Sequence, residues 1–544
     1  MKFSHFFSVM MLAAVAIPTY AYDFTSDGVA YNVVSFESPF TAEVVSLASD
    51  TDSNDAEYYK GDITVPSTIV LEGMEDNPFT VIGVGERAFS DSRQLTSVTL
   101  PATLKYISDK AFMNCSALKS VTIPESLESL GDCCFEYCES LESITLPAGL
   151  TSIPDFTFAF CSSLKEFTFP EKVEEMGNSA FYSCGALATV NFNERLKAIS
   201  ERGFANCSSL TTLQLPQNVT ELGANSFTGC RALTKVSFPA HLTSIGDYAF
   251  YNCSSIQKID ISEFHGNLGI GVFSTCAALT EVRLNPALTE IPANTFSDCL
   301  SLKDFTFPQG IRSVGDRAFY GCASFKYLII PSSMEHIGER AFASCTNIEQ
   351  IDFNCKNLEI GIGAFENLSS LPWVYLHGIS SISDQAFAQG ISLDWVEIDG
   401  NIDTIGSKAF EGCKAITKVY AHAEWPPMIT ISTFDTATER SASLLVVRGS
   451  LDRYAMSAYW NRFIHIEETD SFPLITDGPT SDSPQISVVG GGLDVNASNL
   501  KVDVYDLNGI CVLEEIIMSP SHIDLPKGVY IIKAENYSAK VVIP

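Results

Sequence analysis

The chain has 544 residues, with 65 acidic against 33 basic residues and a formal net charge of −32. This length exceeds what one compact core usually holds, so we expect several domains or a repeat array. An apolar content of 46% excludes a largely disordered chain. The negative charge disfavours nucleic acid and anionic lipid as partners, because their phosphates would be repelled.

The N-terminus carries the pattern of a secretory signal peptide over residues 1–21. A short basic start is followed by an apolar run over residues 6–18, and Thr19 and Ala21 supply small residues before the cleavage point. The run is too short to span a bilayer, which needs about 20 helical residues. A buried N-terminal strand is the alternative. We therefore expect an exported chain that begins near Tyr22 and lies outside the cell or at its outer surface. No later segment predicts a transmembrane helix.

A phenylalanine recurs at a fixed interval through most of the chain. The spacing is 23 residues from Phe89 to Phe365, and then 22, 23 and 24 residues up to Phe434. The series comprises Phe89, Phe112, Phe135, Phe158, Phe181, Phe204, Phe227, Phe250, Phe273, Phe296, Phe319, Phe342, Phe365, Phe387, Phe410 and Phe434. Such a period is the signature of a solenoid, in which each repeat buries its apolar face against its neighbours.

One repeat predicts the structure of one coil. After Phe112, the apolar residues Val121 and Ile123 alternate with Thr122, which is the pattern of a short strand. A second apolar pair follows at three-residue spacing, and Gly131 turns the chain. We predict an α/β-type solenoid, a leucine-rich repeat array of about 16 coils of 23 residues, each a strand plus short helical turns.

Most cysteines share one position in this register. Twelve of the 16 lie three residues after a repeat Phe, namely Cys115, Cys138, Cys161, Cys184, Cys207, Cys230, Cys253, Cys276, Cys299, Cys322, Cys345 and Cys413. A metal–thiolate stack or a run of disulfides is one interpretation. We favour small apolar side chains with a weak S–H donor in a tight turn, because structural metal sites need clustered ligands rather than one per coil.

Acidic residues lie three positions before many of the same phenylalanines. They are Glu86, Asp109, Asp132, Asp155, Glu201, Asp247, Asp316, Glu339 and Asp384. We expect these carboxylates to cap the turn that carries Ala-Phe by accepting its free N–H groups. A negative stripe for cations or a basic partner is the alternative.

The unit CSALKSVTIPESLESLGDCCF resembles the BspA-like class of bacterial leucine-rich repeats. The resemblance covers about residues 60–435 and implies an N-terminal β cap with an incomplete first coil (22–80), repeats (81–435) and a C-terminal cap (436–468). It also implies adhesion to host extracellular proteins or to other cells.

The end of the chain has a different character. A linker rich in Pro, Ser, Thr and Asp is predicted over 469–484, and two hairpin patterns follow within 485–544, the first with its turn at Asn508-Gly509. The segments VYDLNG, LPKGVYIIKA and KVVIP resemble the C-terminal sorting domain of Bacteroidetes type IX secretion. Ile510 stands where that family usually has a basic residue. The resemblance implies a small all-β sandwich.

The outward strand positions supply the candidate binding residues. In early coils they are serines and threonines, whereas later coils carry Tyr327, Ile329, Trp373, Tyr375, Trp395 and Tyr420. Exposed aromatic clusters are typical of recognition surfaces. The alternative is that the C-terminal cap, with Trp425 and Trp460, folds over them.

No nucleophile, metal-protease or phosphate-binding motif is present, so we predict no enzyme, no catalytic residue, no cofactor and no metal site. We expect a monomeric surface or secreted protein that binds a host extracellular protein or other cells. The alternative is a glycan-binding protein in which Trp373, Tyr375 and Trp395 stack on sugar rings.

Overall fold

The computed structural model describes residues 22–47, 58–303, 305–470 and 472–473, and between 485 and 543 seven strands with residues 510, 525 and 526. The predicted signal peptide and most of the predicted linker lie outside the described residues. The contacts divide the chain into two units, Met1–Ile256 with Gly266–Leu268, and Gln257–His265 with Gly269–Pro544.

The first unit opens with a β cap. Phe24–Ser26 and Val29–Ser35 form an antiparallel hairpin, Thr41–Val45 adds a third antiparallel strand, and Phe79–Val84 joins in parallel. Thr68–Ile69 pairs antiparallel with Phe79–Val84. Phe79–Val84 in turn pairs in parallel with the next coil, so the cap covers the first edge of the array.

Each coil contributes strands to two rows that run along the array. In the first unit, the strands of the first row are Lys60–Thr64, Gln94–Thr99, Ser120–Thr122, Glu166–Thr168, Thr189–Asn191, Thr212–Gln214 and Lys235–Ser237. The second row continues from Phe79–Val84 as Tyr106–Ile107, Ser129–Leu130, Ser152–Ile153, Glu175–Met176, Ala198–Ile199, Glu221–Leu222, Ser244–Ile245 and Asn267–Leu268. Gly131 closes one such coil where a Cβ would collide with the backbone nitrogen of Asp109.

The second unit repeats the same plan and ends in a cap. Its first row is Lys258–Ile261, Glu281–Leu284, Tyr327–Ile330, Gln350–Phe353, Trp373–Leu376, Trp395–Ile398, Lys418–Ala421, Ser443–Val447 and His465–Thr469. Its second row is Glu290–Ile291, Ser313–Val314, His336–Ile337, Leu358–Ile360, Ile379–Ile382 and Thr404–Ile405. The cap adds two short helices, Thr436–Ser441 and Leu451–Met456, and a 3₁₀ turn, Trp460–Arg462. The solenoid has about 17 coils, because the strand Lys60–Thr64 precedes the first repeat Phe.

The segment that carries each repeat Phe is a series of tight turns. Lys110 and Asn114, on either side of Phe112, have φ values of 56° and 61°. The N–H groups of 111, 113 and 115 bond three residues back, whereas those of 110, 112 and 114 bond to the next coil. This alternation stops a helix from propagating. Each coil therefore contains isolated tight turns where the sequence predicts short helical turns.

The phenylalanines form a continuous stack in each unit. Phe204, for example, is fully buried, and its ring lies parallel to those of Phe181 and Phe227 at centroid distances of 5.0 and 5.6 Å. These rings fill the space between the two strand rows. The core of each coil is therefore shared with its neighbours.

The ladder cysteines are free thiols that hydrogen-bond within the core. The Sγ of Cys115 lies 3.0 Å from the carbonyl oxygen of Phe89, and Cys207 makes the same contact with Phe181 at 3.3 Å. Burial raises the pKa of Cys184 and of Cys230 to about 12. These thiols act as small buried donors, which is the interpretation favoured from the sequence.

The acidic row binds a different partner from the one expected. Oδ1 of Asp155 accepts the N–H of Asn178 at 2.6 Å, and Oδ1 of Asp109 accepts that of Asp132 at 2.9 Å. The prediction that these carboxylates cap their own turn is wrong at these positions. They bond the backbone 23 residues further on, because N–H groups of their own turn, such as those of 110–112, already donate to carbonyl oxygens.

The C-terminal module is all β. A three-stranded antiparallel sheet contains, in order, Gln485–Val489, Gly492–Asn496 and Ser521–Asp524. A four-stranded antiparallel sheet contains, in order, Cys511–Ile517, Leu500–Asp506, Gly528–Ala534 and Tyr537–Ile543. No helix in the described residues has the length and apolar character needed to cross a membrane.

Candidate binding surface

Three in-register parallel strands of the second unit position most of the candidate residues. Trp373–Leu376 pairs with Trp395–Ile398, which pairs with Lys418–Ala421. The register sets Trp373 beside Trp395. Since alternate residues of a strand point to opposite faces, the fully buried Val374, Val396 and Val419 face the core.

The outward residues form an aromatic surface, defined here as Tyr327, Ile329, Trp373, Tyr375, Trp395 and Tyr420. The indole rings of Trp373 and Trp395 are parallel, with centroids 5.2 Å apart. Tyr420 meets Trp395 edge-on at 6.0 Å. Both tryptophans and Tyr375 are half-buried.

Tyr327 and Ile329 lie on a separate two-stranded sheet made by Tyr327–Ile330 and Gln350–Phe353. Both residues are half-buried. The structure thus divides the six predicted residues between two neighbouring sheets, with four of them on one sheet.

The predicted exposure is wrong for Tyr420, whose exposed fraction is 8%. Phe472, which follows the C-terminal cap, lies 6.2 Å from the Tyr420 ring and stacks on His422 at 4.0 Å. The cap tryptophans lie elsewhere. Trp460 is buried and donates its Nε1 hydrogen to the carbonyl oxygen of Pro427, and Trp425 is 72% exposed beside Arg453.

Two carboxylate–histidine pairs border the rings, and sequence reasoning missed them. Glu397 lies between Tyr375 and Tyr420 in the strand register, and its Oε1 is 2.6 Å from Nε2 of His422. Nδ1 of His377 lies 3.0 Å from Oδ2 of Asp399. The surface therefore combines apolar rings with negative charge.

A sequence signal for these residues exists. The twelfth residue after the repeat Phe is proline in eight of the sixteen coils, as in Pro101 and Pro124, and a small polar residue in others, but three successive coils carry the ionisable residues His377, Asp399 and His422 there. A run of ionisable residues at a position that is otherwise proline or a small residue points to a function outside the common scaffold.

The carboxylate of Glu397 is buried, and one of its two oxygens lacks a hydrogen-bond donor among the described residues. Its exposed fraction is 2%, and its Oε2 atom is buried without a hydrogen-bond partner in the described part of the chain. A buried carboxylate oxygen without a donor costs free energy. Burial, followed by the charges of Asp399 and Glu397, raises the pKa of Tyr375 to about 12. The phenol therefore stays neutral and can donate a hydrogen bond.

Metal chemistry has no visible support in the ranges that the structure describes. No group of three or more His, Cys, Asp or Glu side chains is placed there to hold a metal ion. The arrangement is suited to contact with a partner through ring faces and charge.

Comparison with known proteins places the repeats in a family. The model of the BspA type leucine-rich repeat region matches residues 83–211, 197–323 and 289–417. Among solved structures, a leucine-rich repeat protein from Bacteroides ovatus is 28% identical, with a TM-score of 0.58 over 74% of this chain and 95% of that chain.

A leucine-rich cell surface protein from Faecalibacterium prausnitzii is 26% identical, with a TM-score of 0.44 over 62% of this chain and 96% of that chain. No curated protein matches the chain. The family match extends over more than half of the sequence, and this chain belongs to the BspA-type leucine-rich repeat family.

Proposed function

We propose that the chain is a non-catalytic protein of the cell exterior that adheres to an extracellular partner protein through the aromatic surface. Its family suggests a protein-interaction role. The signal-like residues 1–21 support export, and we propose that residues 485–544 act as a sorting module of the type IX kind.

The observation that carries the proposal is the stacked pair Trp373 and Trp395 on the outward side of the sheet. The corresponding early strands carry residues such as Ser120 and Thr122. Large aromatic side chains are enriched among residues that dominate interface energies. Since serine and threonine suffice at these positions in early coils, an aromatic pair there favours a role in recognition rather than in folding.

The charges favour a partner that presents basic side chains. Glu397 has a buried oxygen without a donor, and the whole chain carries a net charge of −32. A lysine or arginine could lie over an aromatic ring and face the carboxylates that border it.

A glycan is the second candidate, because Asp399 and Glu397 beside ring faces would also accept hydrogen bonds from a sugar. Both candidates use the same residues. The experiment below separates them by the class of ligand retained.

The test is binding of the purified chain to a panel of extracellular matrix proteins and to a glycan array. We expect a matrix protein to be retained, and the double variant Trp373→Ala/Trp395→Ala to lose at least about tenfold in affinity. The matched control removes another surface ring pair, Tyr248→Ala/Tyr251→Ala, and should bind normally. Equal binding by both double variants, with unchanged thermal transitions, would exclude the aromatic surface.

A further inference from the structure

We propose that the aromatic surface already has an occupant within this chain, namely the outer face of the four-stranded sheet of the C-terminal module. An external partner then has to displace the module before it can bind. This inference rests on the proposed function, since it concerns the same surface.

Burial within one strand shows that both faces of that sheet are covered. Ile531 and Ile532 are adjacent in Gly528–Ala534, with exposed fractions of 1% and 0%. Neighbouring residues of a strand point to opposite faces. Ile532 lies with the fully buried Val504, its register partner, on the inner face. Ile531 must therefore be covered from the other side.

The residues on that other side contact the repeats. Ile531 lines a cavity together with Trp373, Tyr375 and His377. Register pairs Tyr505 with Ile531, so Tyr505 shares the same outer face.

A lysine joins the two surfaces. Nζ of Lys533 lies 4.3 Å from the ring centroid of Tyr327 and 4.9 Å from that of Tyr505. An ammonium group between two rings is stabilised by the negative faces of both. Burial raises the pKa of Tyr327, in line with a covered ring.

The space between Ile531 and the rings of Trp373 and Tyr375 is too small for another ligand. The cavity has a volume of about 20 Å³, which holds about one water molecule. Phe472 stacks on His422 and covers the side of the surface near Tyr420. A partner side chain could contact the covered parts of Trp373 and Tyr375 only after the module has moved away.

The occupant also indicates what the displacing partner looks like. Lys533 supplies a positive charge to a surface that carries Asp352, Asp399 and Glu397. We infer a protein partner that presents a lysine or arginine, flanked by an apolar residue, on a β-strand face, because it must replace both Lys533 and Ile531.

Photo-crosslinking in the full chain tests this proposal. A benzophenone amino acid replaces Ile329, which shares the strand and the face of Tyr327, so that the contact between Tyr327 and Lys533 is kept, and mass spectrometry identifies the crosslinked peptides after illumination. We expect a link within one chain to Gly528–Ala534 or Leu500–Asp506. Lys533→Glu should lower its yield about tenfold, the effect of losing a desolvated cation–π contact. Lys533→Arg should retain it, and so should Lys414→Glu, which makes the same charge change at an exposed site.

A chain with an unchanged thermal transition that gives no link to the module, or links only between chains, would overturn the proposal. A yield that Lys533→Glu leaves unchanged would overturn the role of Lys533. Absence of partner binding in the panel would refute the proposed function and leave the crosslink unaffected, so the two proposals fail separately.

Discussion

Replacing one ring of the phenylalanine stack tests what holds the array together. Phe204 is fully buried in the first unit. Its ring lies parallel to those of Phe181 and Phe227, at 5.0 and 5.6 Å, and meets Phe192 edge-on at 5.7 Å. Phe204→Ala removes these ring contacts, together with a tilted one to Phe169 at 6.5 Å, and leaves a cavity in the core shared by neighbouring coils.

The expected loss follows from these contacts. Truncating a buried Phe to Ala costs about 3–5 kcal/mol, because the surrounding core collapses only partly. Two parallel rings face Phe204, and each aromatic pair contributes about 0.5–1.5 kcal/mol beyond buried area. We therefore expect a loss near the upper end, about 5 kcal/mol. Tyr251→Ala is the matched control and should cost less than about 1 kcal/mol, since its ring is 37% exposed.

Urea unfolding measures the global loss, and hydrogen exchange locates it. Since each coil contacts only its neighbours, amide protection should fall mainly between Phe181 and Phe227 and much less in distant coils. A loss below about 1 kcal/mol for Phe204→Ala, or loss of protection spread evenly over the chain, would refute the claim that the stacked rings stabilise the array.

Two further predictions concern the thiol and carboxylate ladders. The free energy of unfolding should fall as pH rises above about 9, because thiols of the unfolded chain ionise near 9.0 while burial raises the pKa of Cys184 and Cys230 to about 12. Above pH 9 the unfolded state has lost protons that the folded state keeps, so each thiol costs about 1.4 kcal/mol per pH unit up to its folded value. Alkaline melts of Cys184→Ala/Cys230→Ala should show a shallower decline than the wild type, and an identical decline would contradict the assignment. Asp155→Ala should cost about 1–2 kcal/mol in urea unfolding at neutral pH, because the Asn178 N–H loses its acceptor, and a smaller loss is expected for Asp155→Asn. Equal stability of the Ala variant and the wild type would show that the inter-coil hydrogen bond is dispensable.

The sequence was sufficient to predict the repeating scaffold because its determinants recur. Phe112 and Cys115 fall at fixed positions, and a position that is apolar in every coil can only face the shared core. The same register placed Trp373 and Trp395 side by side on the outward row. Local spacing also suggested the free, buried state of the ladder cysteines.

Contacts between distant parts of the chain could not be predicted in this way. Asp155 bonds the N–H of Asn178 in the following coil, while the N–H groups of Phe156 and Phe158 donate to carbonyl oxygens of that coil, and a pattern within one coil contains no such contacts. Lys533 and Phe472 lie outside the repeat, so periodicity assigns them no position against the surface. Glu397 and His422 were missed because each looks like an ordinary polar substitution until the strands align them.

Acrylamide quenching of tryptophan fluorescence tests the central claim that the aromatic surface is a binding surface covered by its own C-terminal module. The measurement uses the full chain carrying Trp425→Phe, so that Trp373 and Trp395 supply the accessible signal while buried Trp460 gives a constant background. We expect partial quenching, because both rings are half-buried, and a clear rise when Lys533→Glu is added. Quenching that Lys533→Glu leaves unchanged would show that the module does not cover these rings and would contradict the proposal.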